Sequence, residues 1–244
     1  MKMLAGGLIA VAAAASVSAP ANAGTFVLTS NSNSALSGAV GNSLGPVTVG
    51  GITVTATAWS TDSLSSAPKE AYLGRYVNGL GVTNVSEGNG QTNNSHTVDN
   101  IGSYDFIKLT FSTAVQLTGM TLSGYDVDGS RYTPIDTDAW VSYGSSGFAT
   151  NDDWQGYLNR GIDVASGTNL SSNKVGTVWL VGAARSPSDR DDGFKLASIT
   201  AFAPPSGVPE PATWLTMILG FGVIGGVMRR RMSAAGAADM ARSV

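Results

Sequence analysis

Residues 212–228 carry no charged side chain and consist mostly of Leu, Met, Ile, Val, Phe and Gly, with Pro211 before them and Arg229, Arg230 and Arg231 directly after. A helix in a soluble core keeps a polar stripe toward water, whereas this run is apolar on nearly every face. Its seventeen residues reach roughly 25 Å as a helix, the short end of what crosses a bilayer. The run is therefore expected to be a single transmembrane helix rather than part of the folded body. Three adjacent arginines favour the cytoplasmic side of a membrane, which places the upstream chain outside and leaves 232–244 as a short cytoplasmic tail. Gly222 and Gly226 stand in a G-x-x-x-G spacing that lets two helices approach closely.

The other end of the chain leads to the same topology. Lys2 precedes an apolar run from Leu4 to Val17, and Ala21-Asn22-Ala23 closes it with small residues. This is the pattern of a secretory signal peptide over 1–23, cut after Ala23 by signal peptidase, whose shallow pockets admit only small side chains. The apolar run is about 14 residues, too short to span a bilayer.

The chain has no cysteine. Disulfides, thiol catalysis and Cys-ligated metals are excluded, and an exported body must be stable without staples. Between 24 and 207 there are nine Lys and Arg against fifteen Asp and Glu, a net charge of −6. Such a surface does not neutralise phosphates, so nucleic acid is not an expected partner.

Within the body, 52–59 alternates strictly. Ile52, Val54, Ala56 and Ala58 share one face, and Thr53, Thr55 and Thr57 share the other, as in a half-buried strand. Further strands are predicted at 106–111, 120–125, 139–143, 177–181 and 196–202, separated by Gly, Asn, Asp and Ser clusters. Short strands with regular turn signals predict a mainly β body over 24–202, an antiparallel β-sandwich or jelly roll. No soluble amphipathic helix is predicted, apart from one turn or two within 68–75. Residues 203–211, with Pro204, Pro205, Pro209 and Pro211, read as an extended linker.

The string Val208-Pro209-Glu210-Pro211-Ala212-Thr213-Trp214, the run from Gly220, Phe221 and Gly222 to Gly226, and Arg229-Arg230-Arg231 together closely resemble the PEP-CTERM sorting signal, here over 208–231. The nearest form is the PEPxxWA variant, from which Leu215 and the thirteen residues after the arginines depart. The resemblance implies recognition by an exosortase, a membrane enzyme that cuts near Pro-Glu-Pro and passes the body to the cell surface or an exopolysaccharide (biofilm) matrix. The same tail is also described as an ice-binding-protein C-terminal motif, a label for proteins in which it occurs. Physically, Pro209 and Pro211 hold Glu210 in an extended segment outside the helix, and Trp214 suits an interfacial anchor.

A second resemblance lies in the body. Gly79-Leu80-Gly81-Val82-Thr83-Asn84, then Glu87, His96-Thr97-Val98-Asp99-Asn100 and Asp105-Phe106-Ile107 look like a group of exosortase-dependent surface proteins. No catalytic activity comes with that likeness. Read as chemistry, His96, Asp99, Asn100 and Asp105 offer an imidazole, two carboxylates and an amide just before a strand. Two readings stay open: oxygen ligation of Ca²⁺, or a loop closed by its own hydrogen bonds. Asp126-Val127-Asp128-Gly129 begins like a calcium loop, but Thr137 stands at the twelfth position where an EF-hand requires Glu. Otherwise no cofactor is expected.

Gly41-Asn42-Ser43-Leu44-Gly45 matches G-x-S-x-G, yet that nucleophile turn needs a helix after the Ser, and Pro46 with alternating Val47-Thr48-Val49 follows instead. The threonines of 52–59 form one row, not the repeated array that an ice-binding face needs. Trp59, Trp140, Trp154 and Trp179 could stack on sugar rings, or fill the core. The expected function is thus a non-catalytic surface or matrix protein with a structural or adhesive body. The alternatives are a module binding exopolysaccharide and, third, a secreted hydrolase.

Overall fold

The computed structural model describes residues 21–32, 34–35, 39–87, 96–127, 135–148, 151–164, 170, 173–186, 188, 190–205 and 211–240. The expected signal peptide lies outside these, except for its last three residues. Two compact units are present: the body, Ala21–Pro204, and a second unit that contains the C-terminal helix.

The body is mainly β. In chain order its strands are β1 (Asn22–Val27), β2 (Ser34–Ala35), β3 (Ser43–Val49), β4 (Ile52–Thr61), β5 (Lys69–Glu70), β6 (Tyr72–Tyr76) and β7 (Gly79–Thr83). A 3₁₀ turn, Val85–Glu87, precedes β8 (Val98–Asp99) and the long β9 (Tyr104–Gly124). Then come β10 (Ala139–Gly144), the helix α1 (Asn151–Arg160), β11 (Ile162–Val164), β12 (Gly176–Ala183) and β13 (Gly193–Ala203).

Every pairing described is antiparallel, and β9 organises them. Its first half lies between β4 and β12, with Ala56 opposite Leu109 and Trp179 opposite Leu109 from the other side. Its second half pairs with β13, with Ile199 opposite Met120. The predicted strands at 106–111 and 120–125 are thus one continuous strand, and the strands form one hydrogen-bonded network rather than two separate sheets. The alternation in 52–59 holds: Ile52, Val54, Ala56 and Ala58 are buried, while the threonines between them are half-buried. One hydrophobic core collects residues from β1, β4, β7, β9, β12 and β13, including Phe26, Ile52, Leu80, Ile107, Trp179 and Ile199.

Two expectations for the body are corrected. Residues 68–75 form no helical turn; they supply β5 and most of β6, and Tyr72, Gly74 and Tyr76 pair with β7. A soluble helix does exist, α1. Gly156 and five Asn, Asp and Gln residues mask its pattern in the sequence, but Trp154, Tyr157 and Leu158 stand at helical spacing. Trp154 and Tyr157 are buried in a second, aromatic cluster with Phe106, Trp140 and Phe148.

Strand β1 begins at Asn22, inside the expected signal peptide. A mature chain starting at Gly24 keeps the pairs from Gly24↔Ala201 to Val27↔Ser198.

The C-terminal helix α2 runs Pro211–Met240, longer at both ends than the predicted 212–228. Pro211 joins it as its first residue, where the missing N–H costs no hydrogen bond. Its side chains are described for 215–230, and Leu215, Ile218, Leu219, Phe221, Val223 and Ile224 are each more than half exposed. Among the described residues, no helix is long and apolar enough to cross a membrane.

Candidate functional site

The glycine-rich strand β7 sets the site. Gly79 has φ +126°, in the region that favours glycine, and a Cβ there would meet the Leu196 carbonyl at 2.4 Å. A Cβ on Gly81 would lie 1.7 Å from the carbonyl oxygen of His96. Only glycine at 81 lets the His96 backbone lie directly on β7. That approach fixes where the 96–100 segment starts. The segment then forms β8, paired to the start of β13 through Asp99 opposite Gly193 and Val98 opposite Phe194.

Just after β7 the chain makes a reciprocal cap. Asn84 Oδ1 accepts from the Glu87 backbone N–H at 3.2 Å, and Glu87 Oε2 accepts from the Asn84 N–H at 3.0 Å. This is capping-box geometry, and it holds the Glu87 carboxylate against the turn. Asp105, the second residue of β9, has its side chain on the core-facing side and is 1% exposed.

Three segments thereby bring together Glu87, Asp99 and Asp105. One carboxylate oxygen from each lies within 4.8 Å of the other two. Glu87 is half-buried, and both aspartates are buried. Asp99 accepts from Thr97 Oγ1 at 2.8 Å and from the Ile101 N–H at 3.0 Å. Neither oxygen of Asp105 has a hydrogen-bond partner. The ion pairs among the described residues, Lys69–Asp62 and Arg185–Asp163, do not touch the cluster.

Burial raises the Asp99 carboxyl to about 7; the Glu87 charge adds to this, and the bonds from Thr97 and Ile101 oppose it. Burial, together with the charges of Asp99 and Glu87, drives Asp105 well above the usual carboxylate range, against the polar side chains of Ser60 and Asn84, which favour its charged form. Burial also raises Glu87, against its bonds from Asn84. Oxygen-only donors of this kind can share protons or hold a hard cation.

Of the loop residues singled out in the sequence, Asp99 and Asp105 therefore meet, while the others do not join them. His96 packs its ring on Tyr76, centroids 5.2 Å apart, with Nδ1 3.4 Å from Thr83 Oγ1. Asn100 donates to Asp192 Oδ2 at 2.7 Å and to the Ala184 carbonyl at 3.2 Å, closing the loop onto the start of β13. Asp126 is outside the cluster, and Asp128 lies outside the described residues. Glu87 was readable in advance from Asn84-x-x-Glu87, the capping-box spacing.

Other sequence candidates separate clearly. Trp140, Trp154 and Trp179 are at most 2% exposed, so none offers a face to a sugar. Trp59 is half-buried under the Lys108 ammonium, 4.9 Å from its ring centre. Ser43 opens a strand instead of standing between a strand and a helix. The threonine row is engaged with the protein: Thr53 contacts Thr48 Oγ1 at 2.8 Å, and Thr57 accepts from Trp59 Nε1 at 2.9 Å. A cleft lined by Tyr143, Asp152, Asp153, Arg160 and Thr177 lies apart from the carboxylates.

In the C-terminal unit, Val208, Pro209 and Glu210 lie outside the described residues. Pro211 and Trp214 belong to the first turn of α2, and Gly220, Phe221, Gly222, Arg229 and Arg230 are exposed along it; Arg231 continues the helix. No curated protein and no solved structure matches the chain. Residues 207–231 match the family model described as the PEP-CTERM protein-sorting motif, within one residue of the segment read from the sequence. The chain thus carries a PEP-CTERM sorting motif at its C-terminal end, the mark of a PEP-CTERM sorting-domain protein.

Proposed function

We propose that this is an exported protein whose C-terminal signal is cut by an exosortase, releasing a non-catalytic, structural or adhesive body to the cell surface or extracellular matrix. The match of residues 207–231 to the sorting motif carries this reading. The large apolar side chains exposed along 215–228 of α2 support it, since they suit lipid better than water. In this reading α2 crosses the membrane, with Arg229, Arg230 and Arg231 on the cytoplasmic side. The body, one antiparallel network organised by β9 around a common core, stands outside.

The non-catalytic part of the reading is supported by the placement of the reactive groups. The single histidine contacts Thr83 and Tyr76 and not Ser43. Asp99 and Asp105 are buried, and none of the three clustered carboxylates lines the cleft beside Tyr143 and Arg160.

Intact mass and peptide mapping of membrane and extracellular fractions test the sorting. The wild type is expected to lose 1–23 and the 214–231 span, and a Pro209→Ala/Glu210→Ala/Pro211→Ala variant to retain the span in the membrane. A wild-type extracellular form that still contains Trp214 and the arginines would refute exosortase release.

A further inference from the structure

We propose that Glu87, Asp99 and Asp105 form a Ca²⁺ site that ties the turn after β7 to β8 and β9. Three acidic side chains from separate segments each bring an oxygen to within 4.8 Å of the others. Acidic clusters are common; Asp105 sets this one apart. Its side chain is 1% exposed, it points into the cluster, and neither of its oxygens has a donor within hydrogen-bond distance. Burying a carboxylate without donors is among the costlier arrangements in a protein, and a cation bound at those oxygens removes the cost. Among the described residues, no lysine or arginine forms an ion pair with the three.

The donors select the metal. All are hard oxygens, and the single histidine is not among them, which disfavours Zn²⁺ and the softer transition ions. Carboxylates from a turn, a short strand and a long strand are set by different backbone segments, and Ca²⁺ tolerates such irregular geometry where Mg²⁺ demands a near-ideal octahedron. The neighbouring features fit a purpose-built site. Gly81 admits the 96–100 segment onto β7, the Asn84 cap orients Glu87, and Asn100 anchors the same loop to Asp192. Each of these devices positions a ligand without occupying the ligand oxygens of Asp105.

The binding itself does not depend on the sorting reading, although an exported body would meet the Ca²⁺ concentrations that such a site requires. The affinity expected is that of extracellular modules, with Kd about 0.1–1 mM.

Equilibrium dialysis of the full-length chain in detergent, stripped with EGTA and exposed to radioactive Ca²⁺ at fixed ionic strength, tests the site, with thermal melting in parallel. One saturable Ca²⁺ per chain is expected, with a rise of a few degrees in Tm. Asp105→Asn and Glu87→Gln should each weaken binding at least about tenfold and reduce the rise in Tm. Glu87 is only half-buried, so Glu87→Gln decides the matter if Asp105→Asn fails to fold. Absence of saturable binding up to about 10 mM, or an affinity unchanged in the variants that fold, would overturn the site.

Discussion

Lys195 shows how a single side chain is tuned by the body. It is 5% exposed on β13, with its ammonium 3.6 Å from the Tyr125 ring centre and 5.0 Å from that of Tyr76. Burial depresses its pKa to about 8, below the ordinary lysine value of about 10.4. Below pH 8 the ammonium is charged in both the folded and unfolded chains, and folding bears its full desolvation. Between about pH 8 and 10 the folded chain binds fewer protons than the unfolded one, so stability rises with pH. Lys195→Met is expected to abolish this rise. Urea unfolding at pH 7.5 and 9.5 should show wild type gaining on the variant by about 1 kcal/mol, since partial hydration and the two rings screen part of the shift. Equal slopes would mean that Lys195 titrates normally. At the same scale, Asp99 and Asp105 could be picked out from the sequence, but not that the buried Asp105 carboxylate has no donor within hydrogen-bond distance. Hydrogen-bond partners such as those of Asn100, 92 positions away in Asp192, are set by the tertiary fold.

At the scale of elements, α1 matters most. It is short, but its Trp154 stacks on Phe106 at 5.2 Å and 15°, meets Trp140 edge-on at 5.8 Å, and donates Nε1–H to the Leu64 carbonyl at 3.1 Å. One side chain thus closes the aromatic cluster and fastens the 62–66 turn to the helix. Trp154→Ala should cost about 4 kcal/mol, the range for emptying a buried aromatic site. Chemical denaturation monitored by far-UV circular dichroism measures this, and a loss below about 1 kcal/mol would show the site to be expendable. Period-two alternation made β4 legible because one of its faces is covered. The β6–β7 hairpin was not legible: all five β7 residues are buried, which removes the alternation. Likewise, the exposed 112–114 joins two predicted strands into β9 without an apolar pattern of its own, because there β9 leaves β4 on its way to β13.

For the whole molecule, the body should be self-sufficient. Its core runs from Phe26 to Ala203, and the described strand pairings end at Ala203. A chain of residues 24–204 is expected to fold and to melt within about 2 °C of the full-length protein, measured by calorimetry. A fall much greater than that would show that the C-terminal unit contributes to the stability of the body. The amino-acid sequence by itself determined the sorting motif, the apolar segment with its arginines, the β character of the body and the strand at 52–59. Each of these is read locally, from composition or from a period of two, and an exosortase must read its signal in the same local way. Only the tertiary structure decided that Glu87 joins Asp99 and Asp105 while His96 and Asn100 turn elsewhere. It also decided that three of the four candidate tryptophans are core. Both outcomes depend on contacts between residues far apart in the chain: the seating of His96 on Gly81, the pairing of β8 with β13, and the packing of α1 on β9.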